Sequence, residues 1–166
     1  MPAKRKTRSK KTSRKSKKKP AKKKISFIPK GYHTVTPYVM VHGAAGLIDF
    51  VKQAFGAKEK HRSSRPDGGI WHADVVIGDS HVMIADATGQ WPAAPAGVYL
   101  YIKDTDALYK RAIEAGATSL QEPADQFYGD RTAGVKDQWG NSWFMGTHIE
   151  DVSPKELQKR MEAMKK

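Results

Sequence analysis

The sequence predicts an α+β fold of two tandem βαβββ modules preceded by a disordered basic tail, and three observations support this prediction. The segment VVIGDSHVMIAD at 75–86 is echoed by DQWGNSWFMGTH at 137–148, with Gly, Ser and Met at matching places. One helical pattern closes on FGA at 55–57 and another on AGA at 115–117. The charge also changes sharply after Lys24. Two copies are too few for a solenoid, so a domain with a pseudo-twofold axis is predicted.

The segment 1–24 differs in composition from the rest of the chain. It contains 14 of the 30 Lys and Arg residues and no Asp or Glu, which leaves 16 basic and 17 acidic residues for 25–166. Like charges at this density, without apolar side chains to form a core, predict disorder over residues 1–30. Residues 4–24 can bind nucleic-acid phosphates without sequence preference, act as a targeting address, or only solubilise the chain.

Composition also excludes several classes of site. The chain has no cysteine, which excludes disulfides, thiolate metal sites and a cysteine nucleophile. No run of about 18 apolar residues is present, so no membrane span is predicted. The basic start lacks the apolar stretch of a secretory signal. We therefore expect a cytoplasmic protein, associated with nucleic acid if the tail binds it.

The first module is expected to span about 31–88. Alternating residues predict a strand at 34–41, and apolar residues at helical spacing predict a helix from Ala44 that ends at Gly56. Three more strands are predicted at 58–65, 70–77 and 81–86, the first two joined by the turn PDGG. A connector rich in glycine and proline follows at 87–95.

The second module is expected to repeat this order over about 96–150. A strand at 97–103 leads to a helix capped by Asp104 or Thr105, and the helix ends at Gly116. Further strands are predicted at 118–124, 131–136 and 142–148. The domain then closes near residue 152. A short helix is predicted within 153–166, because Ser153, Pro154 and Glu156 form a capping-box pattern.

Two stretches carry a family resemblance: HADVVIGDSHVMIADA in the first half, and YGDRTAGVKDQWGNSWFMGTHIEDVSPKEL in the second. With the duplicated βαβββ order, they resemble the vicinal oxygen chelate superfamily, which includes glyoxalase I, bleomycin-resistance proteins and extradiol dioxygenases. The PhnB-like proteins are the most similar group. The resemblance covers about 31–157 and implies a concave cavity and, since many relatives dimerise, a homodimer.

Metal-dependent members of that superfamily take four ligands from the first and last strands of the two modules. The resemblance places these positions at Thr36, Val82, Val98 and Phe144. Three apolar side chains and one hydroxyl cannot hold a divalent cation. We therefore predict no cofactor and a largely apolar, metal-free pocket for a small organic molecule. The alternative is a metal-dependent lyase, isomerase or dioxygenase, and its fallback ligands are His72, Asp86 and His148.

Period-two alternation extends the predicted pocket along the same strand faces. Arg131 is added because it can hold an anionic group, although an ion pair with Asp130 or Asp137 would explain it equally. The full predicted ligand-binding set is Thr36, Tyr38, Val82, Ile84, Val98, Leu100, Phe144 and Arg131.

Asp86 and His148 are the candidate catalytic residues. The offset that relates the two echoed segments also relates these two positions, so they stand at matching places of the two modules and could form a general acid/base pair. A solvated carboxylate and a surface histidine are the alternative. Hairpin parity places His72 on the face opposite Val82 and Ile84, which favours a structural role for it. Whether the domain is an enzyme stays open.

Overall fold

The computed structural model describes residues 25–164, which form two four-stranded mixed sheets and three helices. The predicted α+β fold of two βαβββ modules is confirmed. The disordered tail was predicted over 1–30; its residues 1–24, and the last two residues of the chain, lie outside the described part. The elements are β1 Tyr38–Val41, α1 Ala44–Phe55, β2 Lys58–Ser64, β3 Ile70–Ile77, β4 Ser80–Asp86, β5 Gly97–Tyr101, α2 Thr105–Glu114, β6 Thr118–Asp125, β7 Asp130–Lys136, β8 Ser142–His148 and α3 Pro154–Ala163.

Each module forms one sheet, and the two sheets have the same topology. Sheet A has the order β1-β4-β3-β2, and sheet B has the order β5-β8-β7-β6. In both, the first and last strands of the module are parallel and the other pairs are antiparallel. Within 25–164 no helix is long and apolar enough to cross a membrane.

The core lies on the helix-covered faces of the two sheets. Helices α1 and α2 pack against each other, and each covers one face of its own sheet. The ring of Phe55, at the end of α1, lies 4.9 Å from the ring of Trp143 in β8, so the modules share one apolar cluster. Among residues 25–164, no helix covers the other face of either sheet. We call these the open faces of sheets A and B.

The predicted helix ends are present. Gly56 caps α1 with a left-handed φ of 67°, a conformation that favours glycine. The Asp104 carboxylate accepts a hydrogen bond from the Ala107 N–H at the start of α2. Ser153 caps α3 in the same way, with Pro154 in the first turn.

The first strand is shorter than predicted, because it begins at Tyr38 and not at residue 34. The Thr36 hydroxyl donates to the carbonyl of His33, so these residues turn and do not pair with a neighbouring strand. Pro37, which has no N–H, ends this irregular segment. The segment lies against sheet A, where the ring of Tyr32 stacks on that of His81 at 4.0 Å.

The sequence echo does not preserve the side-chain faces, because the turns differ in length. Two residues connect β3 to β4, whereas five connect β7 to β8. Val82 therefore pairs with Val75 under the helices and is 3% exposed, while Phe144 lies on the open face of sheet B and is 40% exposed. The buried counterpart of Val82 is Trp143, one position before the residue that the echo matches to it. A shift of one residue moves a side chain to the other face.

The five-residue β7–β8 loop is organised by the buried carboxylate of Asp137. It accepts hydrogen bonds from the backbone N–H groups of Trp139 and Asn141, the Asn141 side-chain amide and the Trp143 indole, at 2.8–2.9 Å. The Trp139 indole donates to the carbonyl of His42, just before α1. The loop thus joins the second module to the first.

Candidate ligand-binding faces

The open face of sheet A contains a cavity of about 580 Å³ near the end of β4. Two exposed indoles form part of its wall: Trp71, 57% exposed, and Trp91, 59% exposed. The remaining lining residues are Tyr38, Met40, Ala85, Asp86, Thr88 and Gln90. Of the predicted ligand-binding set, Tyr38 lies here. Sequence reasoning missed both tryptophans, and the one available signal was an indole at 91 within the glycine- and proline-rich connector.

Asp86 stabilises backbone at the edge of this cavity. One carboxylate oxygen accepts from the N–H groups of Gly43 and Ala44, and the other accepts from Ile70, at 2.7–2.9 Å. Burial alone would raise the pKa of Asp86, but these bonds and the charge of Arg65 outweigh it and hold the pKa below 3.8. Gly43 has no side chain to cap α1, so Asp86 satisfies the first N–H groups of that helix.

His72 lies on the open face of sheet A, opposite Val82 and Ile84, as hairpin parity predicted. Its ring meets Tyr38 edge-on at 5.8 Å and lies 6.3 Å from the ring of His61. This arrangement makes His72 a packing partner of Tyr38 at the cavity.

His148 lies on the open face of sheet B between two carboxylates. Its Nδ1 is 2.7 Å from Asp130, which is buried, and its Nε2 is 3.0 Å from Asp151, which is exposed. The Tyr101 hydroxyl donates to the second oxygen of Asp130 at 3.1 Å. Hydrogen bonds to Asp130 and then to Asp151 raise the pKa of His148 above 6.5.

The predicted pairing of Asp86 with His148 is wrong. Asp86 lies at the end of β4 on the helix-covered face of sheet A, where its carboxylate bonds to the start of α1. His148 lies on the open face of the other sheet. The carboxylate that meets His148 is Asp130, on the neighbouring strand β7. The different turn lengths explain the error, since they change the face on which matched residues lie.

The other predicted ligand-binding residues do not share one surface. Val82, Val98 and Leu100 meet in a cleft of about 590 Å³ between the modules, beside β5. Ile84 is completely buried in the core. Thr36 lines a separate hollow next to Tyr32.

Arg131 forms two ion pairs with carboxylates of neighbouring elements. Its guanidinium bonds to Asp106 of α2 at 2.7 Å and to Asp125 of β6 at 2.8 Å. An ion pair was one of its two predicted roles, but the partners are neither Asp130 nor Asp137. Both carboxylates raise the pKa of Arg131, so it stays charged.

Residues 32–145 match the model of the Glyoxalase/Bleomycin resistance protein/Dioxygenase superfamily. The chain belongs to this superfamily. An uncharacterised protein of Mycobacterium bovis is 34% identical over 138 residues, which cover 76% of this chain and 91% of that protein.

Solved structures of the superfamily's fold are similar at lower identity. TioX from Micromonospora sp. ML1 matches with a TM-score of 0.60 and 23% identity over 69% of this chain and 97% of its own. TnmS3, an antibiotic binding protein from Streptomyces sp. CB03234, matches with a TM-score of 0.57 and 22% identity over 70% and 95%. At these identities the likeness shows the fold.

The superfamily includes metal-dependent enzymes, but the residues of this member do not fit such a metal. In the part of the chain that the structure describes, no three His, Asp or Glu side chains are grouped to hold a metal ion. Of the fallback ligands, His72 and Asp86 belong to sheet A and His148 to sheet B. Both oxygens of Asp86 already accept backbone N–H groups, and the two ring nitrogens of His148 point at different carboxylates.

Proposed function

We propose that the open faces of the domain bind a small organic molecule without a metal. The observation that carries this proposal is the 580 Å³ cavity on sheet A with its two exposed indoles. Pockets for small molecules usually have this size and are lined by aromatic and apolar side chains with a few polar groups. Gln90 and Thr88 are the polar groups available to orient a ligand. TnmS3, whose fold is similar, is an antibiotic binding protein, which supports binding over catalysis.

A thermal-shift screen of small organic molecules tests this proposal. A ligand present at about 100 times its Kd should add about 2.7 kcal/mol to the free energy of unfolding. The stabilisation should persist in EDTA and should be lost in Trp91→Ala. Met161→Ala is the matched control, because Met161 is an exposed side chain on α3, away from the cavity. Stabilisation that requires added zinc, nickel, manganese or iron would instead favour the metal-dependent alternative.

We also propose that the protein is a homodimer and belongs to the PhnB-like group. Aromatic side chains are exposed on both open faces, among them Tyr38 and Phe144, and such patches commonly mark interfaces. Sedimentation equilibrium should give twice the chain mass of 18.5 kDa. A monomer at high protein concentration would refute the dimer, and a phylogeny of the superfamily would test the grouping.

A second candidate function belongs to the tail, and its charge of +14 between Met1 and Lys24 favours it. We propose that residues 4–24 bind nucleic acid without sequence preference. If about half of these cations contact phosphates, log K should fall with log salt with a slope near −6, at about 0.9 per contact. Full-length protein should bind duplex DNA and residues 25–166 should not. Equal binding by both proteins, or a slope near zero, would leave targeting or solubilisation as the role of the tail.

A further inference from the structure

Four aromatic side chains form what we call the aromatic shelf of sheet B. Tyr99 and Tyr101 come from β5, Phe144 from β8 and Tyr128 from the loop before β7, and all four are at least 40% exposed. The rings of Tyr99 and Tyr101 lie 5.0 Å apart. Side chains of a strand usually stand roughly perpendicular to the sheet, whereas Tyr99 and Phe144 come close to residues of the neighbouring strands.

Two glycines in the strands leave room for two of these rings to come close to the sheet. A Cβ at Gly146 would collide with the phenol end of Tyr99, whose Cζ would be 3.0 Å away. A Cβ at Gly134 would lie 3.3 Å from the Phe144 ring. Neither glycine has a positive φ, so backbone strain does not explain them. Glycine within a strand often marks a close approach, and here the approach is by the rings of the shelf.

The edge of the shelf carries negative charge. Asp130 lies behind Tyr101 and bonds to its hydroxyl, and Asp151 lies on the far side of His148. Together with Lys103 on the same surface, these two carboxylates leave a net charge of −1 where His148 is neutral and no net charge where it is protonated. Lys103, exposed beside Tyr101 and His148, is the basic side chain that lines the same shallow surface.

The surroundings raise the pKa of two phenols of the shelf, Tyr99 and Tyr101. Burial, followed by the neighbouring Tyr101, Tyr128 and Asp130, raises the pKa of Tyr99 to about 12. The hydrogen bond to Asp130 raises the pKa of Tyr101 as well. Neutral aromatic faces attract a cation that lies within about 6 Å of the ring centroid.

We propose that the aromatic shelf selects an organic cation: a flat ring that carries a quaternary or protonated amine. The ring would stack on Tyr99 and Phe144, and the charge would lie at Tyr101, next to Asp130. This inference rests on the proposed function and names its ligand class.

The test compares three probes of one shape and different charge: phenyltrimethylammonium, tert-butylbenzene and benzenesulfonate. Binding to the full-length protein is followed by NMR through the ring signals of Tyr101 and His148, at concentrations below the solubility limit of the neutral probe. At a pH where His148 is neutral, we expect the cation to bind about two- to fivefold more tightly than the neutral probe, as an exposed cation–π contact provides. The anion should bind most weakly.

Substitutions locate the charge selection. Tyr101→Leu removes the ring and should abolish the preference for the cation, whereas Tyr101→Phe keeps the ring and should retain most of it. Asp79→Asn, in the β3–β4 turn of sheet A, is the matched control for general charge and should change nothing. These exposed positions are used because Asp130→Asn would remove a buried carboxylate and risk unfolding.

Two results would overturn the inference. Equal affinity for the cation and the neutral probe would refute charge selection while leaving small-molecule binding intact. The second result is that none of the three probes binds at the shelf, while other molecules stabilise the protein in a way that depends on Trp91. That result would refute ligand binding at the shelf and retain the proposed function. Failure of the proposed function itself would show as no hit in either experiment.

Discussion

At the residue scale, two carboxylates stabilise local structure by accepting hydrogen bonds. Within 25–164, Asp86 and Asp137 have no cation at ion-pair distance, and both are held by donated hydrogen bonds. Asp86 supplies hydrogen-bond acceptors to the N–H groups at a helix start, and Asp137 supplies them to those of a five-residue loop, which would otherwise lack partners. An acidic residue at a strand end therefore resembles a catalytic candidate in the sequence, although its oxygens are already committed in the fold.

Asp86→Asn should destabilise the protein by about 1–3 kcal/mol, because one amide cannot accept all three backbone N–H bonds that the carboxylate accepts. The pKa of Asp86 is lowered in the folded state, so its contribution is present above its ordinary value of 3.8 and is lost as the pH falls below it. The gap between wild type and variant in urea unfolding should shrink in acid. Asp49→Asn is the control, because Asp49 is an exposed carboxylate on α1, the helix that Asp86 caps. An equal effect of Asp49→Asn would contradict the capping role of Asp86.

His148 gives the opposite pH dependence. Its pKa is raised in the folded protein, by Asp130 first and Asp151 second. The stability that it adds is fully present below about 6.5, its ordinary value, and is lost as the pH rises through the raised pKa. The difference in unfolding free energy between wild type and His148→Gln should therefore shrink towards alkaline pH. Asp151→Asn should weaken this trend; a difference that stays constant with pH would refute the ion pair.

The contact between α1 and the β7–β8 loop shows how elements constrain one another. Gly46 is in the middle of α1, where glycine normally costs about 1 kcal/mol relative to alanine. The indole of Trp139 lies over it, and a Cβ at Gly46 would be 2.8 Å from the Trp139 ring. The loop of the second module therefore selects a glycine in the helix of the first.

Gly46→Ala should destabilise the wild-type protein by about 1–3 kcal/mol, since the added methyl overpacks against Trp139. In a Trp139→Ala background the same substitution should become stabilising, by about 1 kcal/mol, because only the helix propensity remains. Chemical unfolding of the four proteins of this cycle measures both values. A gain in both backgrounds would show that the indole does not rest on Gly46.

At the scale of the whole molecule, the two modules join through their helix-covered faces and leave two sheet faces open. The open faces expose Trp71 and Trp91 on sheet A and the aromatic shelf on sheet B. Such exposure is costly in water and is typical of surfaces that bind a ligand or a partner. The proposed ligand site and the proposed dimer both follow from this division.

Removal of metal should leave the whole molecule unchanged. Because the candidate donors among the described residues are divided between the two sheets or already bonded, dialysis against EDTA should not shift the midpoint of thermal unfolding. Elemental analysis of the purified protein should give well below one equivalent of zinc, nickel, manganese or iron per chain. Near one equivalent, retained through dialysis and lost in a His72 or His148 variant, would contradict this prediction.

The sequence alone determined the order of elements, the helix caps and the duplicated architecture. These features depend on local patterns: helical spacing up to Gly56, a capping residue at Asp104, and alternation within each strand. The face of His72 was also predictable, because a two-residue turn fixes the parity of the β3–β4 hairpin.

Only the tertiary structure decided which residues meet. The β7–β8 loop is longer than its counterpart, and one residue of register moves Val82 under the helices while Phe144 stays on the open face. The same shift gives His148 the partner Asp130, and it leaves Asp86 to the backbone of α1. Side chains of a strand alternate between its two faces, so a repeat in the sequence can locate the strands without showing which residues face the core. That choice depends on turn length and on contacts between strands that are distant in the chain.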